Sequence, residues 1–232
     1  MKFDSYTDRK SAFAAWVSKL DLSLSRLGVK SISRLLLHRA SDLKSDHATW
    51  IYDWLKSNIE SRIIQSAGVS VYSPLDLSLL NPHTINLFSS IQCPLSIVDQ
   101  RFTQSDILKE LDQYNIKLEI RSIFLQGILL QTNLSSFSGV FSNLFLEHIS
   151  NLQFKALAYQ LSPLQTCLGY VLGLDFVRKI VIGCTTLTEL KQIINTASSL
   201  TNQQLEIIAK LSKSSGWSNE EEIDPRYWKS LD

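Results

Sequence analysis

The chain has 232 residues, 44% hydrophobic and 19% charged, which is typical of a globular protein with a substantial core. Its 23 basic and 22 acidic residues give a formal net charge of +1 with no basic stripe, so we expect neither nucleic acid nor an anionic membrane as a partner. Residues 1–10 are too charged for a secretory signal and no apolar stretch approaches the ~20 residues that span a bilayer, so we expect a soluble, cytoplasmic protein.

Apolar periodicity predicts alternating helices and short strands in the first half of the chain. In chain order, the predicted elements are helix Ser11–Leu27, strand Ile32–His38, helix His47–Ile59, strand Ile63–Tyr72 and strand Ile91–Val98. Gly28 follows the first helix in the usual stop position, and Pro74 suits the first residue of a short helical turn.

The same alternation continues in the second half. The predicted elements are helix Gln104–Asn115, strand Lys117–Leu125, helices Phe141–Leu152 and Pro163–Leu172, strand Arg178–Cys184, and helices Leu187–Ser198 and Asn202–Ser214. Residues 216–232 form a polar tail that ends in a segment with Tyr227 and Trp228. These two rings can anchor the tail against the protein or a partner, and an exposed tail is the alternative.

Strands separated by helices predict βαβ crossovers and a parallel sheet. We find no compositional break, so we expect one domain over residues 1–232 with a polar segment at 1–10. No G-x-G-x-x-G or P-loop motif follows a strand, which argues against a Rossmann or P-loop domain. The alternation alone does not separate a barrel from an open doubly wound sheet.

The cysteines Cys93, Cys167 and Cys184 are widely spaced and form no C-x-x-C pair. This spacing argues against a disulfide framework and a zinc site, and we predict no metal. Two of them lie inside apolar strand-like runs, where a cysteine is usually a small core residue.

Five segments occur together in the order and spacing of a known family. They are Leu22–Leu43, Ala67–Pro74, Ile91–Phe102, Arg121–Leu130 and Ile180–Ile193. In this order they resemble segments of the aldo/keto reductases. The match begins at the family's third helix and fourth strand and ends at its eighth strand and cofactor-binding helix. The resemblance implies an α/β fold that is a partial (β/α)₈ TIM-type barrel, with about five parallel strands and helices outside.

The same resemblance implies that the front of the barrel is missing. A complete barrel typically needs about 250 residues, and residues 1–10 cannot hold three strands and two helices. We therefore expect the family's first three strands to be absent from this chain. Two unpaired sheet edges would follow, so we expect a homo-oligomer or a capping partner.

The family reduces carbonyls with hydride from a nicotinamide cofactor, and its members use a Tyr acid, a Lys, an Asp and a His. Only the histidine has a matching position here, His38, which follows three leucines at the end of a predicted strand. In a parallel barrel that end faces the active site, so the resemblance makes His38 the catalytic candidate; a loop hydrogen bond is the alternative. The same three residue types occur before the matched region, as Lys2, Asp4 and Tyr6, but that segment is typical of a frayed terminus.

On the nicotinamide side, Ser70 and Gln92 match residues that bind the carboxamide in the family. Val71 replaces the asparagine that usually follows this serine, which removes one amide partner. Arg121 stands where the family often has an aromatic ring, and a guanidinium can also stack on the nicotinamide.

On the phosphate side, the family's loop along the pyrophosphate is matched by Ser122, Gln126 and Gly127. The helix that can hold a 2′-phosphate begins with Gly183, Thr185 and Thr186. Lys191 is the only nearby cation where the family has Lys and Arg. The resemblance implies NADP as the cofactor; inherited shape without retained affinity is the alternative.

The resemblance therefore implies an NAD(P)H-dependent carbonyl oxidoreductase with a small carbonyl substrate. We expect the chain as written to be inactive, because the Asp, Tyr and Lys have no matching positions. The alternative is a non-catalytic scaffold, or a cofactor-binding or interaction protein that uses the truncated barrel. A third hypothesis is an open-sheet α/β protein that resembles the family only locally.

Overall fold

The structure, a computed structural model, describes residues 6–44, 47–80 and 85–228, so Lys2 and Asp4 lie outside the described residues. The helices are α1 Arg9–Leu27, α2 Ala48–Glu60, α3 Ser105–Gln113, α4 Asn143–Leu157, α5 Pro163–Leu172, α6 Leu187–Ser199, α7 Asn202–Ser212 and α8 Glu220–Ile223. The strands are β1 Ile32–Leu37, β2 Ile64–Ser70, β3 Phe88–Pro94, β4 Lys117–Arg121 and β5 Val177–Ile180.

The five strands form one sheet in the order β1-β2-β3-β4-β5. The pairs β1–β2 and β2–β3 are parallel, and Leu37 is level with Val69, which is level with Ile91. Strands that are consecutive in sequence are also neighbours in the sheet, which is the commonest arrangement. The predicted α/β fold with five parallel strands is confirmed.

Most helix bounds agree with the prediction because capping groups mark them. Asp8 caps α1 and accepts from Ser11 N at 2.9 Å, and Gly28 ends the helix in the left-handed region with φ 67°. Ser162 caps α5 in a capping box with proline in its first turn, and α5 spans the predicted residues 163–172.

Strands β3, β4 and β5 end four residues before their predicted ends, at Pro94, Arg121 and Ile180. The apolar run after β3 continues into a loop whose Leu95 and Ile97 are fully buried. An apolar run marks burial rather than extended backbone, so the pattern does not distinguish a buried loop from a strand.

The cysteines in the predicted strands differ in burial. Cys93 lies within β3 and is buried, as is Cys167 in α5, whereas Cys184 lies beyond the end of β5 and is exposed. The expectation of a core cysteine in each strand-like run is therefore correct for Cys93 and wrong for Cys184. The reason is that the second run ends in an exposed loop.

The chain divides into two compact units, the first comprising residues 1–93 and 105–118, the second 94–104 and 119–232. In the first unit, the buried Trp16 of α1 lies edge-on to Trp54 of α2, with ring centroids 5.8 Å apart. Gly68 of β2 has no room for a side chain, because a Cβ atom would stand 2.5 Å from Leu36 Cδ2 and 2.9 Å from the Ser90 carbonyl oxygen.

In the second unit, α5 packs against α6 and α7. The tail from residue 216 contacts earlier segments of the same unit. Trp217 N donates to the Val98 carbonyl at 2.8 Å, and Trp228 lies edge-on to Phe141 at 4.8 Å. Tyr227 is 57% exposed. The tail therefore docks in its described part, with Trp228 rather than Tyr227 as an anchor.

Within residues 6–44, 47–80 and 85–228, no helix combines the length and the apolar character needed to cross a bilayer.

Candidate functional site

Three of the predicted site residues occupy one edge of the sheet in the first unit. Ser70 is level with Gln92 in the register, and His38 directly follows Leu37, which is level with Val69. All three thus lie at the carboxyl ends of adjacent parallel strands, where parallel-sheet proteins bind ligands. His38 is exposed, Gln92 is half-buried and Ser70 is buried.

The residue after Ser70 contributes only its backbone at this edge. Val71 N donates to the Gln92 carbonyl at 2.9 Å, and its side chain is fully buried. Tyr6, the described member of the amino-terminal polar segment, packs edge-on to Trp16 with ring centroids 6.2 Å apart. Its contact in the structure is therefore with the core of the first unit.

A cavity of about 840 Å³ lies within the second unit. Six of the predicted cofactor residues line it: Arg121, Ser122, Gln126, Gly127, Gly183 and Thr185. Its volume lies within the range of about 300–1,000 Å³ that small-molecule sites occupy. The structure thus brings together residues from the β4 end and the β5–α6 loop, which are about 60 positions apart in the chain.

One wall of the cavity is the loop after β4. Ser122, Gln126 and Gly127 have φ angles of 61°, 53° and 91°, all in the left-handed region. For residues other than glycine this conformation is unfavourable and is found preferentially at ligand sites. Arg121 Nη1 donates to Ser122 Oγ at 3.3 Å, which places a cation beside this loop.

The loop leaves its backbone accessible at Gly127. A Cβ atom added there would meet no atom within 4 Å, and the same holds at Gly183 in the opposite wall. A ligand can therefore approach the main chain closely at both glycines. This is the property that a phosphate-bearing ligand uses when it binds backbone N–H groups.

The opposite wall is the β5–α6 loop and the amino terminus of α6. Thr186 caps the helix and its hydroxyl accepts from Glu189 N at 3.1 Å. In return, Glu189 Oε2 accepts from Thr185 N at 2.7 Å and from Thr186 N at 3.4 Å. The bond from the Thr185 backbone is the main reason why the pKa of Glu189 is held below its ordinary value.

Two predicted cofactor residues are placed differently. Thr186 acts as the cap of α6, and Lys191 is exposed on that helix; neither is among the residues that line the cavity. Glu189 and Gln192 do line it and were not predicted. The spacing Thr186-x-x-Glu189 is a capping-box signature, so the sequence carried a signal for Glu189.

The charges around the cavity are few. Among its lining residues in the described part of the chain, Arg121 is the one basic residue and Glu189 the one acidic residue. The remaining lining residues are neutral, and many are apolar, such as Ile123, Val181 and Ile193. The described residues also contain no group of three or more His, Cys, Asp or Glu that could hold a metal ion.

Solved structures with a similar fold include aldo-keto reductase AKR11C1 from Bacillus halodurans. Its apo form matches with a TM-score of 0.72 at 18% identity, over 90% of this chain and 72% of that chain. Its holo form matches with the same TM-score and identity, over 93% of this chain and 72% of that chain. At this identity the likeness shows the fold alone, and it is consistent with the predicted partial barrel.

Among curated proteins, none matches this chain. The sequence profile of the aldo/keto reductase family matches residues 9–213, which include every strand and all but one of the helices of the structure. The chain therefore belongs to the aldo/keto reductase family.

Proposed function

We propose that the chain binds a nicotinamide dinucleotide in the cavity of the second unit, as an aldo/keto-reductase-like oxidoreductase. The observation that carries this proposal is the convergence of Arg121, Ser122, Gly127 and Thr185 on one cavity of about 840 Å³. The family resemblance matched these positions to the cofactor, and family membership supports the same ligand class. NADP is the form that the resemblance implies.

The residues of the cavity fit the pyrophosphate of such a cofactor. The Ser122 hydroxyl can donate to a phosphate oxygen, and Arg121 supplies a positive charge beside it. Gly127 allows the oxygens to approach the main chain, because nothing occupies the space of its missing Cβ atom. The bound nicotinamide would supply the hydride for carbonyl reduction.

We assign the binding of the substrate carbonyl to His38. It is exposed directly after the end of β1, and the preceding Leu37 is level with Val69 of β2, so its ring is accessible to a ligand at that edge. An imidazole there can donate a hydrogen bond to a carbonyl oxygen. The Tyr, Lys and Asp of the family have no matching positions, so we infer that the 232-residue chain tested alone binds cofactor without turnover.

Cofactor binding is tested by titrating the chain with NADH and with NADPH while following tryptophan fluorescence. Gly127→Ala is the test variant and Gly28→Ala the matched control, since both glycines have positive φ and open space around a Cβ atom. Both changes impose backbone strain of about 1–2 kcal/mol. We expect both to lower the melting temperature, and only Gly127→Ala to weaken binding, by about tenfold.

The same samples separate binding from catalysis. Oxidation of the cofactor that depends on an added aldehyde would contradict the inference that the chain lacks turnover, while leaving the binding site intact. Failure of both cofactors to bind would refute the cavity as a dinucleotide site. Equal weakening by Gly127→Ala and Gly28→Ala would point to a loss of folding and count against the assigned wall.

The second candidate function is a scaffold that self-associates, and the surface of α6 favours it. Leu187, Leu190 and Ile194 are 66%, 41% and 54% exposed and lie on one face of the helix. Val181, beyond the end of β5, is 46% exposed. Exposed apolar groups arranged in this way are typical of protein contacts, and we assign a second copy of the chain as the partner.

The cytoplasmic location of the protein stays a prediction.

A further inference from the structure

The charges that line the cavity bear on which dinucleotide it takes. A pyrophosphate brings two negative charges, and a 2′-phosphate monoester adds about 1.5–2 more at neutral pH. Among the lining residues that the structure describes, Arg121 is the only cation, and it lies beside Ser122 in the loop after β4. A further phosphate therefore finds no second cation in this cavity.

The charged group at the opposite wall is an anion. The Glu189 carboxylate accepts from Thr185 N at 2.7 Å and from the Thr185 hydroxyl at 3.2 Å. It also accepts from Thr186 N at 3.4 Å. The backbone donors at this helix terminus, which would otherwise attract an anionic ligand, are thus already bound to a carboxylate of the same helix.

The nearest lysine on α6 does not offset this charge at the cavity. Lys191 follows Glu189 by two positions, which places it about 200° around the helix axis. It is exposed and is not among the residues that line the cavity. The wall formed by α6 therefore carries negative charge.

We propose that Glu189 makes the cavity select a dinucleotide with a free 2′-hydroxyl, so that the chain prefers NADH to NADPH. The inference rests on the proposed function. A carboxylate accepts a hydrogen bond from a ribose hydroxyl, whereas it repels a phosphate at the same place. This selectivity differs from the NADP implied by the family resemblance.

The experiment measures dissociation constants for NADH and NADPH by quenching of tryptophan fluorescence at fixed ionic strength. Glu189→Gln removes the charge and keeps an oxygen that can accept from Thr185 N. Glu206→Gln is the matched control, because Glu206 is exposed on α7 and does not line the cavity. Thermal melting of each variant checks that the fold is retained.

We expect native protein to bind NADH about tenfold more tightly than NADPH, as like charges at close range in water predict. In Glu189→Gln, NADPH should bind more tightly and the preference should fall to about twofold or less. Glu206→Gln should leave the ratio unchanged. These results together would support the inference.

Other results would overturn it in distinguishable ways. Equal or tighter binding of NADPH by the native chain, or an unchanged ratio in Glu189→Gln, would refute the role of Glu189 while the proposed function stands. If neither cofactor binds, the proposed function fails and the inference fails with it.

Discussion

At the scale of single residues, two buried carboxylates of the second unit, each paired with an arginine, differ in the direction in which their pKa is shifted. Asp224 is 1% exposed and is paired with Arg226, whose Nη2 lies 2.6 Å from Oδ2. Burial alone would raise the pKa of Asp224, but the Arg226 hydrogen bonds outweigh it and hold the pKa below its ordinary value. Asp99 differs: burial outweighs its pairing with Arg101 and raises its pKa.

Glu222 connects the tail directly to the start of α4. Its Oε1 accepts from Ser142 N at 2.9 Å, and its Oε2 accepts from Trp217 Nε1 at 2.8 Å and from Asn219 Nδ2 at 3.1 Å. Burial would raise its pKa, but these donors, Ser142 first, hold it below the ordinary value. One side chain therefore satisfies three donors, two from the tail itself and one from the start of α4.

We predict that Glu222→Gln lowers the unfolding free energy by about 1–2 kcal/mol at neutral pH, because charge-assisted hydrogen bonds are lost. The contribution of a carboxyl with a lowered folded-state pKa is complete above its unfolded pKa of about 4.3 and is lost as pH falls through the folded value. The difference in melting temperature between native and variant should therefore be largest near neutral pH and shrink as the pH falls below the unfolded value and through the lowered folded-state pKa.

Glu221→Gln serves as the control for this measurement, since Glu221 is the exposed neighbour of Glu222. It should leave the melting temperature nearly unchanged at each pH. A difference between native and Glu222→Gln that stays constant from neutral to acid pH would show that the carboxylate charge does not stabilise the tail.

At the scale of elements, two glycines show how closely neighbouring strands and helices pack. Gly68 in β2 faces Leu36 and the Ser90 backbone, whereas a Cβ atom on Gly169 of α5 would meet the tip of the Ile208 side chain of α7. Backbone atoms of a neighbouring strand cannot move aside easily, but the end of a flexible side chain can. The two positions therefore tolerate a methyl group differently.

We predict that Gly68→Ala lowers the unfolding free energy by about 1–3 kcal/mol, the usual cost of inserting a methyl group into a packed region. Gly169→Ala should change it by less, because about 1 kcal/mol of helix propensity offsets the displacement of Ile208. Urea unfolding of both variants measures the difference. Equal losses of stability would contradict the proposed distinction between a rigid and a movable neighbour.

The sequence pattern predicts the ends of helices better than the ends of strands in this chain. Helix bounds followed from caps such as Gly28 and Ser162, because a cap is a local interaction between residues close in the chain. Strand ends did not, because Leu95 and Ile97 are buried by packing partners distant in sequence. Burial of a loop is a tertiary property, and it keeps the apolar run going past the strand.

At the scale of the whole molecule, the exposed face of α6 predicts self-association. Leu190 and Ile194 are exposed, unlike the residues of the core. Contact with a second copy would therefore remove apolar area from water. We expect the mass measured by light scattering to rise with protein concentration. The double change Leu190→Gln and Ile194→Gln should shift the protein towards the monomer mass.

Leu75→Gln is the matched control, because Leu75 is 80% exposed in the first unit, outside this face. It should leave the mass unchanged. A monomer at every concentration in the native chain would refute the scaffold candidate and leave the cofactor proposal unaffected.

The sequence alone determined the succession of helices and strands, because periodicity and caps are properties of neighbouring residues. It also determined the family, and with it the positions of Ser122 and Gly127 in a candidate loop. Only the tertiary structure decided that these residues share a cavity with Thr185 and Glu189, since residues distant in the chain meet only when it packs. The capping box at α6 is visible in the sequence because Thr186 and Glu189 are close in the chain. The place of the Glu189 side chain in the cavity wall depends on packing and is not visible there.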